Sequence, residues 1–219
     1  MPTRCDPDPP PALPASLRTP MAIVAGLAGL AVAVLAARYA GSDTAGALDR
    51  RLRSDVTSLL GRPSSGALVV DLFGEPMVVA VLVGVLAALC LALRRRALAA
   101  VAVVGPILTG AATTALKPVI GRTIHDGHLA YPSGHTAAVT ALALVGMLLV
   151  VGLIRGGRAI GLLLVLGGAG VAGAAMAWAQ IVLDAHYPTD TVGGFAMAMA
   201  VVPATALLVD RFAPPITHR

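Results

Sequence analysis

Residues 132–154 read PSGHTAAVTALALVGMLLVVGLI. From Thr136 to Ile154 no side chain carries a charge, and a helical stretch of about 20 apolar residues is what crosses the hydrocarbon core of a bilayer. Its head is different in kind. Ser133 is a good N-cap, and Gly134 lets a ligand approach the backbone closely. The spacing therefore predicts a membrane-spanning helix over 134–154 whose first turn presents free N–H groups and a positive dipole end. Such an end favours an anion such as phosphate. His135, in that first turn, is placed to donate a proton. A simple capped helix accounts for Ser133 but leaves the adjacent histidine unexplained.

Outward from this stretch the same composition continues. The chain has 219 residues, of which 57% are hydrophobic, 12% charged and 3% aromatic. Soluble domains carry about 25% charged residues, so there is too little charge here to coat a water-facing surface. Disorder over most of the length is excluded by the same figures. A transmembrane barrel needs alternating segments and aromatic girdles, and neither is present. The net charge of +5 does not point to nucleic acid, because the arginines are scattered between apolar runs without aromatic interleaving. Cys5 and Cys90 imply neither a disulfide nor a zinc site. An all-α polytopic membrane protein remains.

Six apolar runs are long enough to span: 21–40, 74–93, 97–116, 134–154, 159–183 and 188–209. Residues 1–20, crowded with proline, read as a disordered cytoplasmic tail. Residues 21–211 form a single membrane domain, and 212–219 a cytoplasmic C-terminal tail. Within 41–66, Leu48, Leu52, Val56 and Leu59 recur at helical spacing, Asp49 and Arg53 form an i,i+4 pair, and Gly61 and Pro63 supply a stop. This segment is either a helix lying on the membrane surface or a solvated connector. Arg94, Arg95 and Arg96 fill one tight turn, and Arg155 and Arg158 another. Both fall on one side if every run crosses, and the positive-inside rule makes that side cytoplasmic. The loops 117–133 and 183–190 then lie outside. Small-residue runs such as Gly167-Gly168-Ala169-Gly170 serve packing within one chain or between copies, so a homo-oligomer stays open.

Polar residues in such a chain are costly, and they collect in those two outer loops. The first runs from Lys117 through Arg122, His125, Asp126 and His128 to His135. The second runs from Gln180 through Asp184 and His186 to Asp190. Pro188 is tolerated in the first turn of a helix, so four residues across a helix start bring Asp190 toward the His186 ring. A carboxylate holding one ring proton fixes the tautomer and frees the other nitrogen as a nucleophile. Lys117 and Arg122 add positive charge suited to a phosphoryl group, or else snorkel toward headgroups. His125, Asp126 and His128 match no strong metal-binding spacing and read as a polar outer loop. Asp71 and Glu75 lie near the outer end of the second run and approach the basic groups without an assigned role.

Taken together, Lys117, then PSGH at 132–135, then His186-Tyr-Pro-Thr-Asp190, each at the boundary of an apolar run, resemble the type 2 phosphatidic acid phosphatase (PAP2) superfamily. That superfamily includes integral-membrane lipid phosphatases and the vanadium haloperoxidases. The resemblance covers about 105–205 in motif detail and implies a six-transmembrane-helix bundle. It also implies a nucleophile at His186 that forms a phosphohistidine, with Asp190 orienting it and His135 as general acid. Lys117, Ser133 and the Gly134 amide would hold the phosphate, with no metal or other cofactor. The substrate class implied is a lipid phosphate or diphosphate, bound in a cell membrane on the extracytoplasmic face with other membrane lipids as neighbours.

Two departures stand out. Where the family has Arg-Pro after Lys and six residues, this chain has Ile124 and His125. Where it has Ser-Arg before five residues and His, this chain has Ala179 and Gln180. Gln180 donates a hydrogen bond without charge, and Arg122 is the candidate to compensate. Charge-assisted hydrogen bonds are about twice as strong as neutral ones, so an alternative function is a catalytically weakened protein that binds or translocates a lipid phosphate. A metal-dependent hydrolase built on His125 and His128 is the third.

Overall fold

The computed structural model describes residues 10–61, 64–125, 127–154 and 156–212. Cys5, Pro63, Asp126, Arg155 and the tail 213–219 lie outside the described residues. Eight helices follow one another: α1 Ala15–Tyr39, α2 Ala47–Leu60, α3 Ser65–Leu72, α4 Pro76–Ala92, α5 Arg96–Ile120, α6 Gly134–Ile154, α7 Arg158–Val182 and α8 Pro188–Phe212. Between α5 and α6 a small hairpin pairs β1, Thr123–Ile124, with β2, His128–Leu129, placing Thr123 opposite Leu129. The fold is otherwise all helical.

Five helices, α1 and α5 to α8, are long and apolar enough to cross a membrane. A sixth candidate is a bent pair of helices. α3 and α4 meet at a 55° bend, with Pro76 at the first position of α4, where a missing N–H costs nothing. The 17 residues of α4 reach only about 25 Å at 1.5 Å per residue, short of a core of about 30 Å.

The helices pack on a core that runs from Leu17 and Met21 of α1 through Val101 of α5, Leu144 and Leu148 of α6 and Val165 of α7 to Val202 of α8. α8 is the most enclosed, whereas Ile23, Leu27, Leu30 and Val34 of α1 and Leu163 and Val171 of α7 face outward. In lipid such faces carry no penalty, and association rests on close packing of small residues. Gly105 against Val202 is one such contact.

Three expectations change. Residues 10–20 are not a disordered tail: α1 starts at Ala15, and Ala12 and Leu13 are buried with their N–H groups bonded to Asp210 Oδ1 at 2.7 Å and Oδ2 at 3.0 Å. The carboxylate near the end of α8 accepts the N–H groups of Ala12 and Leu13, which precede α1 and have no helical carbonyl to bond. Next, α2 is tied to the bundle along one side, while Leu48, Leu59 and Leu60 stay exposed. It packs on α7 and α8, with Val56 against Ala67 and Val182. The i,i+4 pair does not form, because Asp49 is fully buried toward Arg122 while Arg53 bonds Asp184. Finally, Lys117 belongs to the last turn of α5, which ends at Gly121 in the left-handed conformation, φ 65°.

The two basic turns do share one end of the bundle. The Arg95 side chain, in the turn before α5, donates to the carbonyl of Gly152 in the last turns of α6. The hairpin, α2, the α3–α4 bend and the starts of α6 and α8 occupy the other end.

Candidate active site

Ser133 and Pro188 set the starts of α6 and α8 side by side. The Ser133 N–H donates to the Asp190 carbonyl at 3.0 Å. Gly194, one turn along α8, lies so close that a Cβ there would stand 2.3 Å from the Ser133 oxygen. The Ser133 hydroxyl caps α6, 3.4 Å from the Thr136 amide and 3.2 Å from the Thr136 hydroxyl. Gly134 and His135 hold the first-turn N–H groups that no helical carbonyl can take.

His135 is partly exposed and faces two carboxylates across the bend, with Nε2 3.5 Å from Glu75 Oε1 and 3.8 Å from Asp71 Oδ1. Among the described residues, these three are the group whose ligand atoms converge within 4.8 Å. Gly74 covers the ring so closely that a Cβ would sit 2.4 Å from His135 Cδ2. The Gln180 amide donates to the Asp71 carboxylate, and the Gln180 carbonyl accepts from the His186 N–H at 3.3 Å. One residue of α7 thus links the surroundings of both histidines.

His186 lies mostly buried, with Nδ1 3.7 Å from Asp190 Oδ2 and no hydrogen-bond partner for that nitrogen among the described residues. Asp190 is fully buried. Its Oδ2 accepts the Tyr187 N–H at 3.0 Å, and its Oδ1 accepts from Arg122 Nη1 at 2.6 Å. Lys117 Nζ reaches the Leu129 carbonyl at 3.1 Å, which ties α5 to the hairpin.

The expectation that Arg122 grips phosphate is not met by this geometry. Arg122 is fully buried, its guanidinium carbon 4.1 Å from the Tyr39 ring centre and 4.6 Å from that of Tyr187. Nη1 also bonds Thr189 Oγ1 at 2.7 Å, and Nη2 bonds Asp49 Oδ2 at 2.7 Å. Asp49 Oδ1 takes the Thr189 N–H at 2.9 Å and its hydroxyl at 2.8 Å. A buried charge persists only when paired in this way, and removing one partner typically costs about 3–5 kcal/mol. Gln180, expected to donate to phosphate, likewise spends its amide on Asp71. The Ser133 hydroxyl is spent on its cap.

The neighbouring phenols feel the same burial. It pushes the Tyr131 phenol well above its ordinary value, with Asp190 adding to the rise and Arg122 opposing it. Tyr187 is raised too, by burial first and by Asp190, Asp49 and Asp184, against Arg122. Tyr131 donates to the Val32 carbonyl at 2.9 Å, anchoring the loop before α6 on α1.

His125 turns away from this centre. Its Nε2 lies 3.0 Å from the Asp184 carbonyl and 3.3 Å from Oδ2, and Asp184 also pairs with Arg53. His128 is exposed on β2. A cleft of about 510 Å³ opens beside His135, walled by Val79 and Val83 of α4, Pro106 and Gly110 of α5, and Ala138 of α6. Ile107 and Ala80 on its rim are exposed.

Asp49 is the residue that sequence reading missed, having assigned it an exposed partner on its own helix. Its only signal was an acidic residue in the first turn of a helix, which is common. Asp71 and Glu75 were expected near basic groups, and they do approach His135.

Comparison with curated proteins and with solved structures gives no match. The model of the PAP2 superfamily matches residues 117–213. The matched segment opens on Lys117, holds Ser133, Gly134 and His135 at the start of α6, and closes after the His186–Asp190 pair and α8. That family points to phosphatase activity in a multi-pass membrane protein. This segment, which supplies both histidines and the helix starts that carry them, is similar to the PAP2 superfamily.

Proposed function

We propose that the protein is a membrane-embedded phosphatase that hydrolyses a lipid phosphate or diphosphate through a phosphohistidine on His186. The observation that carries this reading is the cleft. Its apolar walls and exposed rim suit a hydrocarbon chain, and its polar end is His135, at the same end of the bundle as the His186–Asp190 pair. Apolar sites with a few convergent polar groups are where such ligands bind. In this reading Asp190 holds the Nδ1 proton, and His186 Nε2 attacks phosphorus. His135 protonates the departing oxygen, and water then cleaves the phosphorus–nitrogen bond. Lys117 and the Gly134 and His135 amides hold the phosphoryl oxygens, with no metal in the cycle. The basic turns at the opposite end support a reading in which this site faces the extracytoplasmic side of a cell membrane.

A second reading is a catalytically weakened binder or translocator of a lipid phosphate. It is favoured by the withdrawal of Arg122 and Gln180 into contacts with carboxylates, which leaves fewer charged donors for the anion.

Phosphate release from detergent-solubilised protein decides between them, measured with EDTA on a polyprenyl diphosphate and a phosphatidic acid. The expected result is release that His186→Ala abolishes. No release from either substrate selects the binder, and release unaffected by His186→Ala overturns the assignment of the nucleophile.

A further inference from the structure

We propose that Asp49, on α2 and outside the matched segment, is a positioning residue for His186, acting through Arg122 and Asp190. The proposal rests on the reading of His186 and Asp190 given above. An arginine beside a carboxylate prefers a forked, two-point contact. Arg122 instead makes a single contact to Asp190, through Nη1 to Oδ1, because Nη2 is held by Asp49 Oδ2. The fork is divided between two carboxylates. Asp190 Oδ2 is left to the Tyr187 amide and to His186 Nδ1.

Charge leads to the same conclusion. Asp190 with Arg122 alone would be a neutral pair, able to offer little to an imidazole that becomes cationic when it is phosphorylated. With Asp49 the buried set carries one net negative charge, and His186 is the neighbour that needs it. All three charged members are fully buried, so water screens this balance weakly. Thr189 holds the arrangement in register. Its N–H and hydroxyl both donate to Asp49 Oδ1, and its hydroxyl oxygen accepts from Arg122. The rings of Tyr39 and Tyr187 both lie against the guanidinium.

Loss of the Asp49 charge frees Nη2 to swing onto Asp190 Oδ2. His186 then loses the carboxylate oxygen that faces its Nδ1 at 3.7 Å, although the side-chain carbonyl introduced by Asp49→Asn still accepts from the Thr189 amide. Asp49→Asn should therefore lower kcat by about 100-fold, the effect of displacing a reacting group by about 1 Å, with KM unchanged. Arg122→Met added to Asp49→Asn removes the competing fork and restores kcat by about tenfold or more, which a merely structural role of Asp49 would not do.

The experiment measures kcat and KM for phosphate release in wild type, Asp49→Asn, the double variant and His186→Ala, each checked as monodisperse in detergent. Recovery in the double variant supports the proposal. Wild-type kcat in Asp49→Asn overturns it, as does a folded double variant no faster than Asp49→Asn. If Asp49→Asn does not fold, a folded double variant within about tenfold of wild type supports charge sharing, and a folded but slower one overturns it. Activity retained in His186→Ala marks failure of the underlying reading instead.

Discussion

Gly194→Ala tests whether contact between the starts of α6 and α8 builds the site. The added Cβ would lie 2.3 Å from the Ser133 carbonyl oxygen and 3.2 Å from the Ala137 nitrogen, both backbone atoms. No rotamer change relieves such a clash, so α6 must retreat by about 0.7 Å or more to reach even the shortest tolerated contact. Overpacking of this kind costs about 1–3 kcal/mol. For a chain of this size that corresponds to a fall of about 2–12 °C in apparent Tm. The retreat also strains the Ser133 N–H bond to the Asp190 carbonyl and carries His135 away from His186. Displacements near 1 Å cost about 100-fold in rate, so kcat should fall by about 10- to 100-fold. Gly167→Ala is the matched control, since nothing lies within 4 Å of its Cβ. The assay pairs thermal unfolding in detergent with phosphate release. Wild-type melting and turnover in Gly194→Ala, alongside a neutral control, would refute the reasoning.

Two further outcomes follow from the same packing. Gly74→Ala pushes against His135, where its Cβ would stand 2.4 Å from Cδ2 and 2.7 Å from Cβ; kcat should drop by about tenfold or more and Tm by about 2–12 °C, read by release kinetics beside a melting curve. Tyr131 has its acid dissociation raised in the folded state. Its contribution to stability is therefore fully present below the unfolded value of about pH 10 and is lost as pH rises toward the folded value. Melting temperatures from pH 8 to 11 should fall more steeply for wild type than for Tyr131→Phe, which also gives up about 1 kcal/mol with the Val32 hydrogen bond.

The bilayer made most of the architecture readable. A crossing needs about 20 apolar residues with every backbone group satisfied internally, so the crossings announced themselves in composition, and so did the starts at Ser133 and Pro188. The nature of the bend between α3 and α4 was less visible, because Pro76 marks a helix start without giving the angle. The order of residues in PSGH and in His186–Asp190 determined which helix ends carry the histidines, since i,i+4 proximity is local.

Partner choice between distant segments was not local. Arg122 is 73 residues from Asp49 and 68 from Asp190. Several cations and several acids faced the same end of the bundle, with nothing in their spacing to pair them. Sequence alone told which residues are costly to bury and near which end of the bundle they gather. Tertiary packing alone decided that Arg122 sinks against Tyr39 and Tyr187, that Gln180 turns to Asp71, and that Leu13 and Leu17 enter the core. The physical reason is that a buried charge takes whichever partner the closing helices bring within hydrogen-bond reach, and that reach exists only once the chain has folded.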